Sequence, residues 1–466
     1  MRILFLMQHA GFTFYYDAVL RTLAERGHDL VVAHERAQAS EQLARLTSEC
    51  AAVTSEELPK YRDWRWRAFS GHLRTFQDYL RYLEPRYAHA TYLRRRVEEN
   101  VPRGLQRLGR AVRRLGPWAV AALQGVLRVA ERLIPVPPEV RAFIADRRPD
   151  VVLVTPLVDV GSRQVDYLKA ASALGIRTGL CVASWDNLTN KGLMRVVPDR
   201  VFVWNETQRR EAVEMHRVPP ARVVVTGAQA FDHWFTWAPS CSREEFCRRV
   251  GLAPDQPYLL FVGSTVGIAA DEPAYVEKWI RAMRLSGQPG LHLAGVLVRP
   301  HPKQQARWEG VDLAGTGNTR IQPARTPADP ASRTEYYDAL VHSAAVVGVN
   351  TSALIEAAIA GREVYTLLAP EFAETQEGTL HFQYLAAEHG GPLHTAREPQ
   401  EHFRQLGAAL RSQRAGDARS RDFVRSFVRP HGLDVPATPI LAGAIEALGR
   451  GEADYAPGFV PKTVQL

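Results

Sequence analysis

Short, almost uniformly apolar runs alternate along most of the chain with longer stretches of helical period. The first run, Arg2-Ile3-Leu4-Phe5-Leu6-Met7, is followed by an amphipathic stretch from about Tyr15 to Arg26. A second run, Asp29–Ala33, follows Gly27. Runs with no polar alternation predict strands buried on both faces, as in parallel sheets covered by helices. The rhythm breaks from about Pro59 to Val136, a mostly helical, basic and aromatic insertion. It resumes with Asp150–Thr155, Thr178–Ala183, Val201–Trp204 and Val223–Thr226. Near Thr236–Ser242 the pattern relaxes and a second series begins. Its strands are Tyr258–Val262, Val296–Arg299, Thr319–Gln322, Val346–Val349 and Glu363–Leu367, with helices near Tyr275–Leu285, Tyr336–Ser343 and Ser352–Ala360. From Pro399 onward the chain reads as helices with polar loops, ending in a surface arm. The expected organisation is α/β: two Rossmann-like domains of 1–238 and 239–435 facing a cleft, then a C-terminal helix and tail of 436–466.

A length of 466 residues exceeds what one hydrophobic core usually serves, which agrees with two domains. The first apolar run is too short for a secretory core, and no stretch reaches the roughly 18 apolar residues of a membrane span. Cys50, Cys181, Cys241 and Cys247 lack metal-ligand spacing and read as reduced thiols, so a cytoplasmic setting is expected. Glycosylation sequons at Asn187, Asn205 and Asn350 have no secretory context to give them meaning. The formal charge of +8 is almost all arginine. Between Lys60 and Pro117 there are fifteen Arg and Lys against five Asp and Glu, so the rest of the chain is close to neutral.

Candidate chemistry gathers where strands end. In open α/β sheets ligands lie beyond the carboxyl ends of the strands. Val346-Val-Gly-Val-Asn350-Thr351-Ser352-Ala-Leu-Ile-Glu356 runs from a strand through small polar residues into an Ala-rich helix. Such a helix start presents free N–H groups and hydroxyl donors to a phosphate, and Glu356, one turn on, can accept from sugar hydroxyls. Other strand ends carry Gln8, His9 and Gly11; Ser184 through Asp186 to Lys191 and Gly192; Gly227 through Asp232; Gly263, Ser264 and Thr265; and Arg299-Pro-His301-Pro-Lys303. Blander readings exist for each: His9 as a strand-end residue, Asp186 as an Asx-turn residue, Gly227 and Gly263 as turn formers. An imidazole held between two prolines beside Arg299 and Lys303 makes most sense for an anion.

The series Tyr258-Leu-Leu-Phe-Val-Gly263-Ser-Thr, Arg299-Pro-His301-Pro302 and Tyr337 through Asn350-Thr351-Ser352 to Glu356 resembles the nucleotide-binding half of GT-B glycosyltransferases. It is most like the His-Pro-motif group of CDP-glycerol glycerophosphotransferases, bacterial polysialyltransferases and capsule-assembly transferases. Val223–Asp232 resembles the point where such chains leave the first domain. The resemblance covers about Val201–Leu368 and not the insertion. It implies a transferase that takes a UDP- or CDP-linked donor as substrate, with no permanently bound cofactor, and acts on a surface-polysaccharide or lipid-linked acceptor. Donor contacts would come from Gly263, Ser264, Thr265, Arg299, His301, Asn350, Thr351, Ser352 and Glu356. Asp186 or His9, from the first domain, would act as base beside a catalytic His301, with Lys191 or Arg299 stabilising the departing phosphate. No Asp-x-Asp stands at a strand end, so no metal is required. The loop Glu371–Phe382 is expected to line the base or sugar pocket. Asn350-Thr351-Ser352 departs from the Asp-Ser-Gly or Ser-Ser forms common in the group, which leaves the phosphate contacts open. UDP-N-acetylglucosamine 2-epimerases share the two-domain fold, so an epimerase is the alternative, followed by a non-catalytic nucleotide-sugar or glycan-binding protein.

Within the insertion, Leu105, Leu108, Val112 and Leu115 recur at helical spacing beside Arg107, Arg110, Arg113 and Arg114. Two readings follow: an amphipathic helix packed on the first domain with a solvated Arg face, or peripheral attachment to the inner face of the cell membrane. No recognised nucleic-acid module accompanies the arginines, so no nucleic-acid partner is expected.

Overall fold

The computed structural model describes residues 1–35, 40–323, 329–412 and 417–452. Two parallel sheets carry the fold. The first contains β1 (Arg2–Met7), β2 (Asp29–His34), β3 (Val53–Glu57), β4 (Val151–Thr155), β5 (Arg177–Cys181), β6 (Arg200–Val203) and β7 (Val223–Val225), in the order β3-β2-β1-β4-β5-β6-β7. The second contains β8 (Tyr258–Val262), β9 (Gly295–Arg299), β10 (Thr319–Ile321), β11 (Ala345–Gly348), β12 (Val364–Leu367) and β13 (Leu393–Ala396), in the order β10-β9-β8-β11-β12-β13. The uniformly apolar runs become the central strands. β4, β8 and β9 are buried at every residue because helices cover both faces.

Two strands escape the apolar pattern. β3 reads Val-Thr-Ser-Glu-Glu and β13 reads Leu-His-Thr-Ala, each at a sheet edge. An edge strand needs few apolar anchors, here Val53 in β3 and Leu393 with Ala396 in β13, and its polar residues discourage pairing with another chain.

The chain folds as two units. The first joins Met1–Asp232 to the segment from Arg425 onward, and the second is His233–Val424. The last helix among the described residues, Ala437–Arg450, belongs to the first unit, where Leu441, Ile445 and Leu448 share a core with Ile3, Phe5 and Tyr16. Asp232 fixes that return. Its carboxylate accepts from the backbone N–H of Ala437 (3.0 Å) and Thr438 (2.6 Å) and pairs with nearly buried Arg429 at 3.1 Å. A residue expected among the reactive strand-end groups is thus a helix cap. Asp232→Ala removes that cap and the carboxylate facing Arg429. It is expected to cost the first unit about 2–4 kcal/mol, read from its denaturant midpoint.

The insertion is built into the first unit more deeply than its charge implies. Its helix Arg67–Arg81 buries Arg74, Gln77, Asp78 and Arg81 beside Leu73, Phe76 and Leu80. Arg74 bonds both oxygens of Glu131 (2.8 and 3.1 Å) and both of Asp166 (2.6 and 3.0 Å), and Tyr61 also donates to Asp166. Asp78 pairs with buried Arg195 and accepts from the N–H of Gly161 (2.8 Å) and Leu193 (2.7 Å). Arg81 donates to the carbonyls of Leu188, Lys191 and Gly192. Tyr61, Phe76, Tyr79, Tyr82 and Tyr87 lie in the core. Part of the apparent positive surface is therefore internal wiring that holds the loops after β4 and β5.

Candidate functional site

In the second sheet the strand order reverses between β8 and β11, the kind of point at which open α/β sheets take their ligands. Gly263 and Ser264 leave β8. A Cβ at Gly263 would lie 2.6 Å from the backbone N of His301 and 2.8 Å from Oε2 of Glu272, so only glycine lets the His-Pro segment approach this closely. Buried Gln304 ties the two together by donating to the carbonyl of Ser264 at 2.5 Å. The ring of His301 accepts from the N–H of Lys303 through Nδ1 at 3.1 Å, which leaves Nε2 to carry the proton. Burial, with Lys303 alongside, pushes the imidazole down to about 4. It is a neutral hydrogen-bond donor at physiological pH.

Arg299, at the end of β9, is 7% exposed. It donates to Gln322 at 3.0 Å and lies over the ring of Tyr336, 4.6 Å from its centroid. The Tyr336 hydroxyl donates to Glu356 at 2.6 Å. Burial raises the Glu356 carboxyl to about 6, against the pull of the Tyr336 hydrogen bond and the Arg299 charge. Cation, phenol and carboxylate therefore form one chain at the ends of β9 and β11.

The helix carrying Glu356 is Ala353–Ile359, shorter than the pattern implies, and Ser352 makes no side-chain cap. Thr351 accepts from the N–H of Ala353 at 3.4 Å, and the backbone N–H of Asn350 donates to Ser264 Oγ at 3.4 Å across the switch point. The Asn350 amide donates to the carbonyl of Thr375 at 2.7 Å, pinning the 371–382 loop beside the site. Gln376 reinforces it through the carbonyls of Val349 and Leu367. The Asn350 side chain thus shapes the loop beside the site. The single Thr265 carbonyl accepts from the N–H groups of both Ile268 and Ala269.

The first sheet repeats the arrangement between β1 and β4. Gln8 from the β1 exit bonds Asp159 from the β4 exit, and beside them a cavity of about 310 Å³ is lined by Glu35, Lys60, Tyr61, Arg163 and Tyr167. Leu157, with φ of 56°, holds a left-handed backbone unusual for leucine. Its N–H reaches buried Gln164 at 2.7 Å, whose own amide donates to the carbonyls of Thr155 (2.7 Å) and Leu6 (3.3 Å). Of the expected first-domain residues, His9 packs against Phe12 at the β1 exit. Asp186 lies two strands away after β5, accepting from Ser184 (2.6 Å) and the Asn190 amide (2.8 Å). The carbonyl of Lys191 is held by Arg81 and Tyr82. His9 and Asp186 thus stand at separate strand ends, and the cavity lies at the first of them.

Searches of family models and of curated proteins match nothing to this sequence. Solved structures do match its fold. A UDP-GlcNAc 2-epimerase from Neisseria meningitidis bound to UDP-GlcNAc aligns with 12% identity and TM-score 0.51 over 96% of this chain and 100% of that one. A UDP co-structure of MnaA from S. aureus gives 12% identity and TM-score 0.53 over 98% and 99%. A glycosyltransferase from Rickettsia africae gives 9% identity and TM-score 0.53 over 96% and 98%. The fold is GT-B-like.

Two groups at the second switch point carry no legible motif. Tyr336 is one, a helix residue that meets Glu356 only through folding. Glu272 is the other: fully buried, it accepts from the N–H of Ser264 at 2.6 Å, and burial lifts its carboxyl to about 8. Its place at the start of the Glu272–Arg284 helix, just before Pro273, is the only local signal. Because this carboxyl binds its proton more tightly folded than unfolded, the folded state holds more protons between about 4.5 and 8. Stability from this group therefore falls as pH rises through that window. Glu272→Gln keeps the acceptor and removes the titration. The variant is expected to match the wild type in thermal midpoint at the acid end of the window and to exceed it at the alkaline end.

Cys241, Asp338 and His342 also come within metal-ligand range of one another. Asp338 already accepts from Ser240 (backbone N–H 2.8 Å, hydroxyl 2.5 Å) and Arg249 (3.0 Å), and His342 Nε2 donates to the Cys241 carbonyl at 2.9 Å. Hydrogen bonds occupy this set.

Proposed function

We propose that the protein is a transferase that takes a nucleotide-activated sugar, or a glycerophosphoryl-type group, as donor on the second sheet, for surface-polysaccharide or lipid-linked acceptors. The Arg299–Tyr336–Glu356 chain beside a neutral His301 carries this reading. A buried guanidinium answers the charge of a diphosphate, an imidazole N–H donates to its oxygens, and a carboxylate accepts from ribose hydroxyls. The Gly263–Ser264 turn brings the β8 exit against the His301 backbone. The resemblance to the His-Pro-motif group supports the same roles, and the uridine nucleotides named for two of the similar structures make UDP the first nucleotide to try. The first unit supplies the acceptor side in this reading, with Asp186 or His9 as base.

A thermal-shift screen against UDP, CDP, CMP, GDP and ADP, with His301→Ala and Glu356→Ala beside the wild type, tests the site. One nucleotide is expected to stabilise the wild type and neither variant. No shift with any nucleotide overturns the assignment. Likeness to 2-epimerases favours a second reading equally at the level of fold. An epimerase converts its nucleotide sugar with no acceptor present, a transferase requires one, and a binding protein shows neither.

A further inference from the structure

The helix Pro117–Leu133 has a buried and an exposed side. The buried side, with Ala119, Val120, Gln124 and Glu131, is anchored because Glu131 meets Arg74 and Lys169 donates to the carbonyls of Glu131 and Ile134 at 2.6 Å each. The other side shows Trp118, Ala122, Val126, Val129 and Leu133 at a spacing that places all five on one stripe, and every one is exposed. Trp118 is 70% and Leu133 77% exposed. Solvent-facing stripes on helices are ordinarily polar, so an aligned apolar one marks an interaction surface.

The adjoining helix Arg103–Arg114 adds charge. Arg103, Arg107, Arg110 and Arg114 form one exposed stripe, with Arg113 beside them and Leu108 and Leu115 also exposed. From Asn100 to Ala130 there is no acidic residue, and Arg110 reaches outside the pair to Glu98 at 2.6 Å. Facing a second copy, these rows would set arginine against arginine. An anionic lipid surface instead takes the arginines at its headgroups and the stripe at its acyl boundary, with an indole at the interface. Among the described residues no helix is long and apolar enough to cross a membrane, so attachment would be lateral.

We propose that the Arg103–Leu133 helix pair docks the first unit onto an anionic bilayer, with the Trp118–Leu133 stripe inserted and the arginine row at the headgroups. This is independent of the nucleotide reading. The test is co-sedimentation of the full chain with phosphatidylcholine vesicles and with phosphatidylcholine/phosphatidylserine vesicles. Trp118→Ser/Leu133→Ser and Arg113→Glu/Arg114→Glu are compared with the wild type. Wild type is expected to bind the anionic vesicles, and each double variant to bind at least about tenfold more weakly, with unchanged thermal midpoint and unchanged response to UDP. Wild type remaining in the supernatant, or variants binding as wild type does, overturns the proposal. So does a wild-type dimer in light scattering that Trp118→Ser/Leu133→Ser dissociates, since a second copy would then cover the stripe.

Discussion

Arg74→Leu is expected to destabilise the first unit by about 3–5 kcal/mol, more than the loss of the Asp232 cap. The guanidinium is 1% exposed and holds four carboxylate oxygens, two from Glu131 and two from Asp166, both themselves fully buried. Removing the cation leaves two carboxylates facing each other in a medium that cannot solvate them. The remaining ammonium, Lys169, stands 3.7 Å from Glu131 and cannot replace a fork that serves both. Much of the cost is that stranded charge. Arg74→Met combined with Glu131→Gln and Asp166→Asn should therefore recover a large part of it. Chemical denaturation with hydrogen exchange resolved to the first unit measures both. A loss below about 1 kcal/mol for Arg74→Leu would mean that the ionic cluster contributes little. Because Arg195, which pairs with Asp78, also donates to the Arg74 carbonyl, protection at the Gly161 amide, which donates to Asp78, is expected to fall in the same experiment.

Arg299→Ala is expected to lower the affinity for the stabilising nucleotide by about 2–4 kcal/mol, roughly 30- to 1000-fold, as measured by calorimetry. The cation sits at a strand end, nearly buried, stacked on Tyr336 and steadied by Gln322, so its charge is weakly screened and its position is already set. Arg299→Lys should recover only part of the loss, because an ammonium neither stacks on the ring nor presents two parallel donors. A pH signature separates this role from a structural one. Glu356 titrates near 6, and Arg299 is among the groups holding it down. If the ionised carboxylate accepts from the ribose, wild-type affinity falls as pH drops through about 6. Removing the cation should move that midpoint upward. An Arg299→Ala protein with unchanged affinity and midpoint would place the nucleotide elsewhere.

The elements that were legible in advance are those whose information is local. Uninterrupted apolar runs such as Tyr258–Val262 and Val151–Thr155, too short for a buried helix, read as strands covered on both faces. The rule that ligands gather at strand ends then picked out Gly263, Arg299, His301 and Glu356 as neighbours before any fold was known. Edge strands β3 and β13 stayed hidden because one or two buried positions are enough to hold them. Asp232 looked reactive from its place after β7, yet it caps a helix more than two hundred residues away.

Composition and period by themselves determined the α/β class, the two series of strands and the strand ends where chemistry collects, since each depends on the residues of one short segment meeting water or core. Only the tertiary structure decided that Arg74 and Arg81 are internal, that Glu272 keeps its proton near neutrality, that Tyr336 joins Arg299 to Glu356, and that the Trp118–Leu133 stripe faces outward. Each of these depends on the solvation or partner of a polar or apolar group. That is set by segments distant in the chain, whose approach no local pattern encodes.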